Sequence, residues 1–236
     1  MSPVLKRVVA AVVPCLLLLS GCGIAGTQFH PGVAARVGDE TITNDRVDEL
    51  TTNYCSAIEK QVTAGGQSLP LTGLKTAITA QLAIQTAAEQ IADQYGVEPG
   101  TDYKSQLVQF KQQADSAGYE GEARDAYITV QSTQALYTDL LTQVGAILLS
   151  QEGTDDAGID FQQARGLDEL ASFVDAEGMT FDPRYGLTVA DGLPKPADTD
   201  ITYAEGDLAK QGQGLATSDT PDPNYVAALP LSSTCG

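Results

Sequence analysis

Residues 74–97, LKTAITAQLAIQTAAEQIADQYGV, are the part of the chain that most directly indicates its fold. Apolar side chains recur there every three or four positions, as they do along the face of an α-helix that packs against a core. Together with Leu71, which lies just before this stretch, the stripe comprises Leu74, Ile78, Leu82, Ala88, Ile91 and Tyr95. Because Gly96 stands where a glycine commonly follows the last helical residue, the sequence predicts a long helix that ends at Tyr95.

Four further segments show the same helical periodicity. The first begins at a cap formed by Thr43 or Asn44 and ends at Gly65 and Gly66. The other three predicted helices are Thr101–Ala117, Glu122–Gln151 and Ala157–Glu177. The sequence therefore predicts a mainly α protein built on a bundle of about five helices.

Short apolar segments on either side of these helices predict strands. Val33–Val37 is followed by a turn at Gly38 and Asp39, and Met179–Phe181 directly follows the last helix. Beyond the helical region the composition changes, since 6 of the 11 prolines lie in the 54 residues from Pro183 onward. Such a composition is typical of extended or irregular chain. We therefore expect residues 187–236 to form an irregular, extended tail.

Charge and composition exclude several classes of function. The chain has 13 basic and 31 acidic residues, for a net charge of -18. A nucleic-acid partner is not expected, because phosphate binding requires a basic surface. The one histidine, His30, lies in a short Gly- and Pro-containing segment, and the acidic pairs lack the pattern of a calcium-binding loop. We expect no catalytic residues, no metal and no cofactor, and we interpret the chain as a protein that is not an enzyme.

The N-terminus has the features of an export signal. Lys6 and Arg7 precede an apolar run of roughly a dozen residues, which is too short to span a bilayer. The sequence Leu19-Ser20-Gly21-Cys22 follows and resembles the lipobox of bacterial lipoproteins. In that family the cysteine is joined to diacylglycerol and becomes the first residue of the mature protein.

This resemblance implies a lipoprotein signal peptide at residues 1–21, lipidation at Cys22 and a tether at residues 22–32. Acyl chains on Cys22 would anchor the protein in the bilayer without a transmembrane helix. The protein would then lie at the outer, extracytoplasmic face of the cytoplasmic membrane. Removal of the signal peptide would bring the net charge to -20, because residues 1–21 contain two basic and no acidic side chains.

Two cysteines remain after this processing, Cys55 and Cys235. Disulfides persist in exported proteins, so these two residues are expected to pair. Two free thiols are the alternative, whereas a redox-active pair is disfavoured because the chain has no Cys-X-X-Cys sequence. A disulfide would return the C-terminus to the first helix.

Three segments together resemble the N-terminal domain of SurA/PrsA-type foldases. They are VAARVGDETITNDRVDEL at residues 33–50, the long helix at 74–97 with its terminal Tyr-Gly, and FDPRYG at residues 181–186. The resemblance covers residues 33–186. It implies a SurA N-terminal-like helical domain in which the strand at 33–37 pairs with the strand near residue 180. FDPRYG is also similar to the corresponding segment of actinobacterial lipoproteins that lack a parvulin domain.

The resemblance implies an extracytoplasmic chaperone that binds unfolded or translocated polypeptides between its helices. The family often carries an inserted parvulin prolyl-isomerase domain, and no such block is recognisable in this sequence. A prolyl-isomerase relative with weak or no activity is one alternative, and a structural subunit of a cell-envelope complex is another. Aromatic residues on the helical stripes are candidates either for the core or for a peptide-binding groove. These residues are Tyr103, Phe110, Tyr127 and Tyr137.

Overall fold

The structure, a computed structural model, describes residues 31–197, 206–207, 210 and 223–236. The predicted signal peptide, Cys22, His30 and all of the tether before Pro31 lie outside the described residues. In chain order the regular elements are β1 (Val33–Val37), β2 (Glu40–Thr43), α1 (Asn44–Ala64), β3 (Leu69–Pro70), α2 (Leu71–Tyr95), α3 (Thr101–Ser116), α4 (Gly121–Gln151), α5 (Ile159–Glu177), β4 (Met179–Phe181), β5 (Leu187–Ala190), β6 (Leu193–Pro196), α6 (Pro223–Ala227) and β7 (Thr234–Cys235).

The five predicted helices are confirmed, and their ends follow local signals. The side-chain oxygen of Thr43 accepts a hydrogen bond from the backbone N–H of Arg46 and so caps α1. Gly96 adopts the left-handed conformation, with φ of 66°, and ends α2 at Tyr95 as expected. The differences are small: α3 ends one residue earlier than predicted, and α5 begins two residues later, after the N-cap Gly158.

The longest helix, α4, contacts each of the other four long helices and organises the bundle. Its closest neighbour is α5, and glycines on both helices allow the two backbones to touch. A Cβ atom on Gly145 would overlap the carbonyl oxygen of Gln162, and one on Gly166 would overlap that of Leu141. The sequence spacing of Leu167, Leu170 and Val174 predicts one apolar face on α5; Leu170 and Val174 are buried, whereas Leu167 is 46% exposed.

A three-stranded antiparallel sheet with the order β2-β1-β4 lies against the helices. Ala35 pairs with Phe181 and Val37 pairs with Met179, so the strand at 33–37 does pair with the strand near residue 180. The side-chain amide of Gln90 donates a hydrogen bond of 2.9 Å to the carbonyl oxygen of Val37. This bond fixes the end of β1 to the C-terminal part of α2.

The main core lies between this sheet and helices α2, α4 and α5. Its fully buried members are small or branched, as expected for a chain with few aromatic residues. They include Ala34, Val37, Val47, Ala83, Ala87, Ala88, Ile91, Val144 and Leu170. Two smaller clusters extend the core along α1, one with Leu50, Ile78 and Ala126 and the other around Cys235.

The turn after β4 is joined to the bundle by Tyr185. Its buried hydroxyl donates a hydrogen bond of 2.9 Å to Oδ1 of Asn44, the first residue of α1. Its backbone carbonyl accepts a hydrogen bond of 2.8 Å from the hydroxyl of Thr76 on α2. Tyr185 thus joins the turn after β4 to both α1 and α2.

The region that was expected to be an irregular tail contains regular structure in its described parts. Strands β5 and β6 form a hairpin around Asp191 and Gly192. Leu187, Val189 and Leu193 of this hairpin pack against the main core. The packing around the main core therefore includes side chains beyond Gly186. Residues 223–236 add the short helix α6 and strand β7.

Candidate functional site

Residues of α3, α4 and α5 line an open groove of about 450 Å³, which we call the α3–α5 groove. Helix α3 supplies Asp102, Gln106 and Phe110, and α5 supplies Ile159 and Gln163. The α4 side is formed by Gln131, Gln134, Ala135, Thr138, Asp139 and Thr142. The groove thus combines apolar side chains with many amides and hydroxyls that can donate or accept hydrogen bonds.

The carboxylate of Asp139 is tied to the start of α3. Its Oδ2 accepts hydrogen bonds from the backbone N–H of Gly100 at 2.7 Å and from the side-chain amide of Gln143 at 2.9 Å. Gly100 is the N-cap residue of α3, so this carboxylate lies at the end of the helix that favours negative charge. These bonds hold α3 against α4 at one end of the α3–α5 groove.

Three large apolar side chains on α3 and at the start of α5 are exposed to solvent. Ile159 is 59% exposed and Phe161 is 71% exposed, and Val108 on α3 is 52% exposed. Sequence reasoning missed all three, because periodicity indicates which residues can share a face and not which face remains uncovered.

The structure does not bring the four predicted aromatic residues together at one site. Phe110 lines the α3–α5 groove. Tyr137 packs against the main core, and Tyr127 belongs to a separate cluster on α1 and α4. Tyr103 is partly buried on α3 and does not line the α3–α5 groove. Of the four residues, Phe110 is the one that lines the α3–α5 groove.

Three tyrosines form the separate cluster. The rings of Tyr54 and Tyr127 stack with their centroids 6.2 Å apart, and Tyr119 meets Tyr127 edge to face at 4.9 Å. The side-chain amide of Gln131 donates a hydrogen bond of 2.8 Å to the hydroxyl of Tyr54. Burial raises the pKa of Tyr54 and of Tyr119 above the usual value of 10.0.

A disulfide between Cys55 and Cys235 lies next to this tyrosine cluster, as the sequence predicts. Cys235 is fully buried and belongs to β7, which pairs with β3 through Leu69 and Pro70. The hydroxyl of Ser68 also donates a hydrogen bond of 2.7 Å to the carbonyl oxygen of Gly236. The C-terminus is therefore fixed to α1 and to the start of α2 by both covalent and hydrogen bonds.

Neither a metal centre nor a membrane-spanning helix is found in the part of the chain that the structure describes. No group of three histidine, cysteine or acidic residues is placed to hold a metal ion there. None of the helices in that part combines the length and the hydropathy needed to cross a bilayer.

Comparison with known proteins identifies no relatives. No family model matches the chain, and neither does any curated protein sequence or solved structure with which it was compared. The candidate site therefore has to be interpreted from its own geometry.

Proposed function

We propose that the protein is a membrane-anchored, extracytoplasmic lipoprotein that binds unfolded or newly exported polypeptides in the α3–α5 groove. One observation carries this proposal: exposed Ile159 and half-buried Phe110 line the same open groove as a row of amides and hydroxyls. An unfolded chain presents both apolar side chains and unpaired backbone groups, so it needs both kinds of partner. The work is binding without catalysis, and no cofactor takes part.

The expected affinity is modest. Covering the exposed part of Ile159 with a client side chain contributes on the order of 1 kcal/mol, and each amide–backbone hydrogen bond adds a similar net amount. Weak binding suits a protein that delays aggregation and then releases its client. The net charge of -20 that remains after removal of residues 1–21 keeps the loaded complex soluble through repulsion between copies.

An aggregation assay with the full-length chain tests this function. The protein should slow the aggregation of an unfolded reporter at near-stoichiometric ratios. Ile159→Asp should raise the concentration needed for half-protection several-fold. This variant should keep its fold, because Ile159 is exposed and an acidic residue is favoured in the first turn of a helix.

Leu231→Asp provides the matched control. Leu231 is 89% exposed and lies in a turn near the C-terminus, away from the residues that line the α3–α5 groove. This change should leave protection unaltered, and equal loss in both variants would contradict the proposed site. Acceleration of a proline-limited refolding step would favour the isomerase alternative. Recovery of one stoichiometric envelope partner instead of many clients would favour the structural-subunit alternative.

The membrane anchor forms a separate part of the proposal, supported by the Leu-Ser-Gly-Cys sequence that ends at Cys22. Cys22→Ser should release the protein from membrane fractions or leave it as the unprocessed precursor. Mass spectrometry of the mature wild-type N-terminus provides the decisive measurement. A mature protein without acyl mass on Cys22 would contradict this part and leave the groove proposal intact.

A further inference from the structure

The α3–α5 groove carries charge of one sign. Two of its lining residues, Asp102 of α3 and Asp139 of α4, are acidic, and none of the described residues that line it is basic. The two lysines of α3, Lys104 and Lys111, lie outside this lining. A client segment with basic side chains is therefore attracted to the groove, whereas an acidic segment is repelled.

Neither carboxylate of the groove is neutralised by a basic side chain of the described residues. The ion pairs in that part of the chain join other acidic residues to Lys75, Arg124, Arg165, Arg184 and Lys195. Asp102 is exposed, and half-buried Asp139 accepts its hydrogen bonds from Gly100 and Gln143 through Oδ2 alone. Both carboxylates are therefore open to charge-assisted hydrogen bonds from a lysine or arginine of a client.

The segment that leads into α5 places further acidic residues beside exposed apolar ones. Residues 152–163 contain four acidic side chains and no basic one. Asp160 lies between Ile159 and Phe161 in the sequence, and all three side chains are exposed. Such a surface is complementary to a polypeptide in which basic and apolar residues lie close together.

The antiparallel course of α3 along α4 sets the order of the residues in the groove. At the start of α3, the backbone of Gly100 is hydrogen-bonded to Asp139. Near its end, Oε1 of Gln113 lies 3.4 Å from the hydroxyl of Tyr127. Phe110 precedes Gln113 by less than one turn, so it lies toward the N-terminus of α4. At a rise of about 1.5 Å per residue, roughly 12 Å of α4 separates Phe110 from Asp139.

Helix α5 places Ile159 on the opposite side of Asp139. The close approaches between their glycines and the facing backbones show that α5 runs antiparallel to α4. Near the start of α5, the backbone of Gln162 touches that of Gly145. Ile159 begins α5, so it lies beyond Gly145, toward the C-terminus of α4. Along α4, the carboxylate of Asp139 therefore lies between the two apolar residues Phe110 and Ile159.

From this order of apolar and acidic groups, we propose that the α3–α5 groove selects client segments in which a basic residue lies between two apolar residues. The inference rests on the proposed function, because it names the class of polypeptide that this groove binds. The apolar side chains of the client pack on Phe110 and Ile159, and its lysine or arginine pairs with the carboxylates. Roughly 12 Å of groove corresponds to about four residues of extended chain, which sets the spacing between the apolar and basic residues.

A second copy of the chain does not fit this surface. In a two-fold contact through the groove, Asp102, Asp139 and Asp160 of one copy would meet the same three residues of the other. Like charges brought together in an interface weaken binding, and the chain has 31 acidic against 13 basic residues. A basic segment of another polypeptide meets the opposite condition.

Fluorescence anisotropy with labelled, end-capped peptides and the full-length chain tests the proposal. FLSSKKSSLF carries lysines between apolar ends, FLSSQQSSLF and FLSSEESSLF carry glutamine or glutamate there, and KSSFLLFSSK has the composition of the first peptide in another order. FLSSKKSSLF should bind about fivefold more tightly than FLSSQQSSLF. This advantage should shrink in about 0.5 M NaCl, because ions screen exposed charges. FLSSEESSLF and KSSFLLFSSK should both bind more weakly than FLSSKKSSLF.

Asp102→Asn/Asp139→Asn removes the charge of the groove and keeps the side-chain size and an acceptor oxygen for Gly100. It should lower the affinity for FLSSKKSSLF to that for FLSSQQSSLF, with thermal melts to show that the variant is folded. Asp102→Asn alone, at an exposed position, should remove part of the preference without touching the bond to Gly100. Asp45→Asn/Glu49→Gln is the matched control, because it removes two exposed charges of α1 outside the groove lining. The preference should persist in this control.

The possible results separate this inference from the proposed function. Equal binding of all four peptides, weakened in each case by Ile159→Ser, would overturn the charge preference and leave binding in the groove intact. A lysine preference that survives in both Asp102 variants, or equal binding of KSSFLLFSSK, would assign the attraction to net charge and overturn the inference. Binding of none of the peptides would overturn it as well, and the aggregation assay then decides the proposed function by itself. A dimer that Ile159→Ser dissociates would assign the surface to a second copy instead.

Discussion

Gly145 and Gly166 determine how closely α4 and α5 approach, and each is replaceable only at a cost. The backbone of the opposite helix occupies the position that a Cβ atom would need. Gly166→Ala should therefore force the two helices apart. Overpacking of this kind costs about 2 kcal/mol or more, which should lower the urea midpoint of unfolding.

Gly73→Ala tests whether the missing space, rather than the loss of a glycine, causes this effect. Gly73 lies in α2, and the space that a Cβ atom would occupy there is open. Because alanine is the better helix former, this variant should be neutral or slightly stabilised. Equal destabilisation of the Gly73 and Gly166 variants would show that the close contact of α4 and α5 is not what makes Gly166 necessary.

At the scale of the elements, the long helices were predictable because periodicity, caps and terminal glycines agree with one another. The β5–β6 hairpin was not predicted, although Asp191-Gly192 between two apolar segments is a strong turn signal. Pro194 and Pro196 obscured it, since proline disfavours central strands. The hairpin forms its own two-stranded sheet, in which β6 is an edge strand and proline is tolerated.

Some residues of the candidate site could likewise be predicted from the sequence, and others could not. Phe110 could be selected from the α3 stripe, but Ile159 and the polar side chains of α4 that line the groove could not. Whether an apolar or amide side chain is covered depends on how neighbouring helices are placed, and that placement arises from packing over the whole bundle. The α3–α5 groove is therefore a property of the assembled helices.

Docking of the hairpin onto α5 depends on Gly192. This residue has φ of 71°, and a Cβ atom on it would overlap the Cα of Ala171. Gly192→Ala should therefore loosen the hairpin and increase proteolysis within residues 187–197. Gly118→Ala is the control, because Gly118 has φ of 74° and open space around it. The control experiences the backbone strain alone, so similar proteolysis of both variants would contradict a role for the contact with Ala171.

At the scale of the whole molecule, five tyrosines make stability sensitive to alkaline pH. Burial raises the pKa of Tyr54, Tyr119, Tyr137 and Tyr185, and the hydrogen bond that Tyr95 donates to Glu169 raises the pKa of Tyr95. In the unfolded chain these groups titrate near 10. Above that pH the unfolded state binds fewer protons than the folded state, so the free energy of unfolding falls as pH rises.

Urea titrations from pH 8 to pH 11.5 measure this effect. The midpoint should be steady up to about pH 9.5 and should then decrease, since each tyrosine contributes at most about 1.4 kcal/mol per pH unit. Tyr137→Phe removes one of the five groups and should make the decrease shallower. A midpoint independent of pH over this range would show that the tyrosines titrate alike in both states.

The disulfide acts on the whole molecule because it joins residues 180 positions apart, from α1 to the penultimate residue. The chain-entropy description assigns such a closure about 5 kcal/mol as an upper figure. The segment that it fixes also depends on only two strand pairs between β3 and β7. Without the covalent bond, these pairs, the Ser68 hydrogen bond and the packing of buried residues such as Tyr225 and Val226 would have to order the C-terminus.

Cys55→Ser should therefore lower the melting temperature by several degrees and expose residues 223–236 to proteolysis. Cys235→Ser should do the same, and the double variant should be no worse than either single one, because both changes remove the same bond. Fully buried Cys235 also packs with Ala57 and Ile58, so its replacement by serine places a hydroxyl group in that packing as well as removing the disulfide. Cys235→Ala removes the disulfide without adding a hydroxyl group, and its melting temperature should resemble that of Cys55→Ser. Alkylation of the non-reduced, exported wild type provides the direct measurement, and two reactive thiols there would contradict the linkage. If the C-terminus is held by packing alone, the single variants would keep residues 223–236 as protected as in the wild type.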